Sequence, residues 1–162
     1  VLKQCEKTGR IANFEVAAGK RKGGMTGLYF NDSDLYKTIE GAAYILAEKP
    51  DAALEARCDE IIGLIAAAQE ADGYLYTPRT ILDPKNMPPG GKERWSDMGA
   101  GHELYCMGHL YEAAVAYFQA TGKRALLDVA IKNADLVASV FGPGKKPHPC
   151  GHPQVEIGLA KL

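Results

Sequence analysis

The sequence predicts an all-α protein built from helical hairpins. Three observations carry this. Apolar residues recur at helical spacing through four long segments, no segment shows a convincing run of period-two alternation, and the helix pairs repeat along the chain. Composition agrees with a folded domain. The 162 residues are 46% apolar and 24% charged, with 19 Lys+Arg against 20 Asp+Glu and a net charge of −1. That balance argues against disorder and against bulk electrostatic binding of nucleic acid. The longest apolar stretch, counting Gly63, is Ile61–Ala68, eight residues. A membrane-spanning helix needs ~20.

The elements follow in order. Val1–Gly9 reads as a short helical or irregular lead-in, followed by Ile11-Ala12-Asn13-Phe14 and a basic, glycine-rich loop over Lys20–Gly24. That loop lacks the spacing and the strand-to-helix setting of a phosphate loop. Asn31-Asp32-Ser33-Asp34 supplies side-chain oxygens suited to a helix N-cap. Leu35, Ile39, Ala42 and Leu46 then fall on one helical face. Pro50 ends that helix and Asp51 caps the next, whose face is Leu54, Cys58, Ile61, Ile65 and Ala68. A loop from Glu70 to Gly101 carries the Asp72-Gly73 turn, four prolines and Trp95, the single tryptophan. Loops this long are usually functional or mobile. A third helix starts near His102 with the stripe Leu104, Met107, Tyr111, Ala114 and Phe118. Gly122 suits the left-handed closure of a helix. The fourth helix carries Leu127, Ile131, Ala134, Val137 and Phe141, and a fifth begins at Pro153.

The pairs at 34–69 and 102–141 are alike: apolar helix, short turn, apolar helix, long loop. The fifth helix opens a third copy. Such periodicity means a solenoid or a closed toroid of helix pairs. Short turns make successive helices antiparallel, so the first, third and fifth helices start at one end. The loops before them, Lys20–Ser33, Glu70–Gly101 and Gly142–His152, converge there with His102, His148 and His152 at their edges. A ligand site belongs at that end.

His102, Cys106 and His109 lie on one helix face. They do not fit a shared zinc ion, because seven residues rise about 10.5 Å along a helix while zinc ligands sit about 2.0–2.3 Å from the metal. His102 and His152 stand at equivalent helix starts, where the positive end of the dipole disfavours imidazolium. Neutral rings each offer one donor and one acceptor, which suits a polyhydroxylated ligand such as a sugar. The alternative is that each caps or packs its helix start. Cys5, Cys58, Cys106 and Cys150 are widely spaced without a CxxC pair and read as free thiols of a reducing compartment. No signal peptide is visible before the first helix. The chain opens on Val1 and stops at Leu162 within a helical run, so it reads as part of a longer, cytoplasmic protein.

Five blocks carry a family resemblance: Gly9-Arg10-Ile11-Ala12-Asn13-Phe14, Gly27–Asp34, Ala68–Leu75, His102-Glu103-Leu104-Tyr105-Cys106-Met107-Gly108-His109-Leu110, and Gly151-His152-Pro153. In order along the chain, they resemble glycoside hydrolase family 127, the β-L-arabinofuranosidase family. The resemblance implies that residues 1–162 are an incomplete N-terminal portion of one (α/α)6-barrel catalytic domain, about five of its helices, from a bacterial enzyme of carbohydrate metabolism. It implies a retaining hydrolase whose zinc-bound cysteine nucleophile and glutamate acid/base lie downstream of Leu162. This chain then supplies no catalytic residue and no zinc ligand. A substrate-contacting glutamine of the family has no clear match in Gln4. His102 and His152 match family positions that hydrogen-bond the arabinofuranose. The implied partner is an arabinofuranose-containing carbohydrate, with no nucleic acid or membrane partner, and an open half-barrel is expected to self-associate. The competing reading is a non-catalytic helical-repeat binding or scaffold module, since the chain lacks an acid and nucleophile pair.

Overall fold

A computed structural model describes residues 1–147 and 150–162. His148 lies outside the described residues. Among these residues the chain is all-helical, with eight helices where about five were expected: α1 (Leu2–Lys7), α2 (Arg10–Ala17), α3 (Asp32–Glu48), α4 (Ala52–Ala68), α5 (Thr77–Ile81), α6 (Glu103–Thr121), α7 (Ala125–Val140) and α8 (Gln154–Lys161). The three additions are short: α1 forms in the lead-in, α2 over the Ile11–Phe14 segment that follows it, and α5 inside the long loop. No helix among them is long and apolar enough to cross a membrane.

The helices form two layers. In one, α6 lies between α3 and α8; in the other, α4 packs on α7. Long faces form where the spacing places them. Leu35, Ile39, Ala42 and Leu46 are buried on α3, and Cys58, Ile61, Ile65 and Ala68 on α4. Each contributes roughly 25 cal/mol per Å² of apolar surface removed from water. The Asp51 carboxylate accepts the N–H groups of Ala53 and Leu54, both at 3.0 Å, and so caps α4. Gly122 closes α6 with φ 73°, its N–H reaching the Phe118 carbonyl at 2.7 Å.

Four expectations are corrected. The oxygen-rich Asn31–Asp34 segment marks the start of α3 without capping it through a side chain. The Asp32 carboxylate leaves its own helix and accepts from the Thr77 N–H (2.8 Å) and hydroxyl (2.6 Å). Phe118 lies half-buried at the rim, because α6 is enclosed on nearly every side rather than along one stripe and Tyr117 takes the inner position. On α7, Leu127 and Val137 of the expected stripe are buried but Ile131 is exposed, and the buried face also takes in Leu126, Val129, Ala130 and Asn133. Asn133 displaces the apolar register because it accepts from the Tyr111 hydroxyl (2.7 Å) and donates to the Gly73 carbonyl (2.8 Å), a satisfied polar pair inside the core.

The Glu70–Gly101 segment is the fourth. Its first part is core rather than loop. Asp72-Gly73 turns the chain, with Gly73 at φ 98° and the Tyr74 N–H bonded to the Asp72 carboxylate at 3.1 Å. Tyr74, Leu75 and Tyr76 then run inward and are buried. A Cβ at Gly73 would come within 2.5 Å of the Lys132 carbonyl oxygen, so this turn excludes a side chain.

The three long loops meet at one end. The Met25 N–H bonds Asp83 (3.0 Å), Asn86 donates to the Met25 carbonyl (2.9 Å), and the Gly151 N–H donates to the Met98 carbonyl (3.0 Å). The two hairpin turns lie at the other ends of the same helices.

Candidate functional site

His102 is the residue before α6 and adopts a left-handed backbone, φ 58°. Non-glycine residues visit that region rarely, histidine more than most. His152 precedes Pro153 at the start of α8. The two imidazoles meet with Nε2 atoms 3.0 Å apart and ring centroids at 4.8 Å.

The hydrogen-bond partners suggest one arrangement of protons in the neutral pair. His102 Nδ1 lies 2.6 Å from the Ala100 carbonyl oxygen, which only accepts, so Nδ1 carries a proton. In the neutral ring His102 Nε2 is then an acceptor, and His152 Nε2–H is the donor across the pair. The arrangement has no room for two protons between the rings.

Aromatic side chains from the loop before α3 and from α6 surround the pair. Tyr29 and Phe30 contact the His102 ring at centroid distances of 5.4 and 5.2 Å. Tyr105, one turn into α6, touches His102 (5.3 Å), His152 (4.9 Å) and His109 (4.8 Å). Its hydroxyl is 2.6 Å from Lys37 Nζ on α3. His109 lies seven residues beyond His102 on α6 and is buried. Its Nδ1 is buried without a hydrogen-bond partner, 3.6 Å from the Glu112 carboxylate. Burial pushes its pKa down to about 4, so near neutral pH it is an uncharged packing residue.

Beneath the pair is a buried ion pair that sequence spacing does not disclose. Glu103 and Arg79 meet at 3.0 Å with side chains 1% exposed. The same carboxylate accepts from the Tyr74 hydroxyl (2.5 Å) and the Trp95 N–H (3.1 Å). Their separation of 24 residues, from α5 through the connecting loop to α6, matches no helical or strand period.

Among the described residues, no set of side chains fits a zinc centre. The Cys106 thiol is enclosed, contacts the Phe30 carbonyl at 3.6 Å, and is pushed well up by burial, which opposes the thiolate a metal requires. All four cysteines are free, and among the described residues no three His, Cys, Asp or Glu side chains converge to hold an ion. A mainly apolar groove of ≈620 Å³, lined by neither His102 nor His152, lies along α3 between Leu2, Lys37, Ile45 and Leu54.

Fold and cluster together define a class: an all-helical hairpin repeat that gathers polar and aromatic side chains where alternate helices begin. The chain belongs to glycoside hydrolase family 127, whose catalytic-domain model, described as β-L-arabinofuranosidase, matches residues 1–162. It is 48% identical over 158 residues to a non-reducing end β-L-arabinofuranosidase of Bifidobacterium longum subsp. longum, covering 96% of this chain and 24% of that protein. The crystal structure of a GH127 β-L-arabinofuranosidase from Geobacillus stearothermophilus T6 superposes with a TM-score of 0.87 at 47% identity, over 96% of this chain and 24% of that one. A second GH127 β-arabinofuranosidase structure gives 0.90 at 46% identity, over 99% and 26%. The chain therefore spans about a quarter of the length of these relatives.

Proposed function

We propose that this chain forms one wall of the sugar-binding cleft of a retaining β-L-arabinofuranosidase, as the opening part of an (α/α)6 barrel. His102 and His152 contact the arabinofuranose. The observation that carries this is the 3.0 Å Nε2–Nε2 approach of the two rings at the end where the long loops meet. A hydroxyl group is both donor and acceptor. With the rings moved apart to admit it, the hydroxyl can donate to His102 Nε2 and accept from His152 Nε2–H, replacing the bond between the rings without changing either tautomer. Between the two rings a carboxylate or phosphate finds only one donor. A neutral polyol is the better match.

The catalytic groups come from the rest of the protein. The family resemblance assigns the cysteine nucleophile, its zinc ion and the glutamate acid/base to the portion beyond Leu162. No zinc-dependent step belongs to this chain's residues, which bind and orient the sugar. The match of a catalytic-domain family across all 162 residues disfavours a bare scaffold.

The test is the stereochemical course of hydrolysis of a β-L-arabinofuranoside by the full-length protein, followed by NMR. Nucleophilic displacement followed by hydrolysis gives retention. Release of the inverted sugar refutes the proposal.

A further inference from the structure

The chain between α5 and α6 carries three non-glycine residues with left-handed backbones: Leu82 (φ 52°), Trp95 (φ 61°) and His102 (φ 58°). Such conformations persist only where the surroundings over-determine them. Here the determinants flank His102. On one side, the Tyr76 hydroxyl donates to the buried Gly101 carbonyl at 2.6 Å. On the other, the Glu103 carboxylate takes Arg79 Nη2 (3.0 Å), the Tyr74 hydroxyl (2.5 Å) and the Trp95 N–H (3.1 Å). Arg79 also donates to the carbonyls of Pro89, at 3.0 Å, and Gly91.

The same segment reaches His152. The Met98 carbonyl accepts the Gly151 N–H at 3.0 Å, and the Trp95 carbonyl accepts Lys146 Nζ. The Trp95 ring packs edge-on against Phe141, centroids 5.4 Å apart. A Cβ on Gly151 would lie 2.2 Å from the Gly99 carbonyl oxygen, so the two loops touch backbone to backbone. Buried ion pairs add little to stability compared with apolar packing. This one also leaves Arg79 Nε buried without a partner. Its arrangement suits the holding of geometry better than the gaining of stability.

We infer that Glu103, with Arg79 and Tyr76, is a positioning residue for the His102–His152 pair. It locks the left-handed backbone of His102 from below and, through the Trp95–Met98 strap, sets where His152 stands. The inference rests on the reading of that pair as sugar contacts.

The experiment uses the full-length enzyme and an aryl β-L-arabinofuranoside. Glu103→Gln and Tyr76→Phe are made alone and in combination with His102→Ala. Displaced histidines weaken sugar binding, so each single variant is expected to raise KM, by on the order of tenfold for Glu103→Gln and less for Tyr76→Phe, with a smaller change in kcat. In the His102→Ala background the further rise shrinks below about twofold, because the residue acted upon is gone. A loss confined to kcat, at unchanged KM and of equal factor in both backgrounds, reports fewer folded molecules and overturns the inference. Should Glu103→Gln fail to fold, Tyr76→Phe, which deletes one hydroxyl, decides by the same criteria. If His102→Ala alone leaves both constants unchanged, the sugar-contact reading falls. If His102→Ala is impaired while neither positioning variant moves KM, only the positioning role falls.

Discussion

Gly108 on α6 and Gly158 on α8 meet backbone to backbone. A Cβ on Gly158 would stand 2.5 Å from the Gly108 carbonyl oxygen, and one on Gly108 would stand 2.3 Å from the Gln154 carbonyl oxygen. Each helix begins beside one histidine of the pair. Gly→Ala inside a helix ordinarily gains about 1 kcal/mol. Here a backbone clash of the overpacking kind, about 1–3 kcal/mol or more, decides the sign. Gly108→Ala is expected to lower Tm and weaken sugar binding. Gly63→Ala, on the exposed face of α4 with open space at its Cβ, is expected to raise Tm. Calorimetry on the two variants checks this, and a Tm increase for Gly108→Ala contradicts the close approach.

The dependence of stability on pH is expected to conceal two opposed slopes. Burial pushes Asp32 from 3.8 up to about 6, against the Thr77 hydrogen bonds that lower it. Between pH 4 and 6 the folded state therefore holds more protons at Asp32 than the unfolded one, and stability falls as pH rises. Burial pushes His109 from 6.5 down to about 4. Over that window the unfolded state holds more protons there, and stability rises with pH. Each slope amounts to roughly 2–3 kcal/mol across the window. Urea titrations of the wild type should be nearly flat from pH 4 to 6. Asp32→Asn should leave a rising profile and His109→Gln a falling one. Identical profiles for all three proteins contradict the assignment.

The outer faces of the two flanking helices are apolar and open. Tyr44 and Ile45 on α3 are 56% and 58% exposed, and Ile157 and Leu159 on α8 are 44% and 43% exposed. In an (α/α)6 barrel these faces are covered by neighbouring helices. The isolated 162-residue chain is expected to be inactive on arabinofuranosides and to self-associate through them. Sedimentation velocity should show dimers or larger species that Ile45→Glu shifts toward monomer. A clean monomer of the unaltered chain at high concentration counts against the half-barrel, and measurable turnover by it refutes the assignment of catalysis to the remaining sequence.

Much of the architecture is legible in residue spacing because most long helices bury one face. Leu35, Ile39, Ala42 and Leu46 and the Cys58–Ala68 face show it, as do the ends marked by Asp51 and Gly122. Spacing fails where a polar residue organises the core. Asn133, bonded to Tyr111 and Gly73, turns α7 so that Ile131 faces solvent. It also fails for α5, five residues that cannot establish a helical period. The histidine pair is readable because His102 and His152 hold equivalent places in successive hairpins. Glu103 is not, because its partners Tyr74, Arg79 and Trp95 are joined to it only by tertiary folding.

The central claim is that His102 and His152 contact sugar while His109, on the same face of the bundle, packs the core. The most direct measurement is kcat/KM and Tm for His102→Ala, His152→Ala and His109→Ala in the full-length enzyme. Loss of a hydrogen-bonding partner from a bound ligand costs about 1–3 kcal/mol. The first two variants should therefore lose roughly ten- to hundredfold in kcat/KM, with Tm close to wild type because both side chains sit at half-buried helix starts. His109→Ala should lower Tm more than it lowers turnover. If His102→Ala and His152→Ala depress Tm as far as His109→Ala does and leave kcat/KM intact, the pair is structural and the claim is wrong.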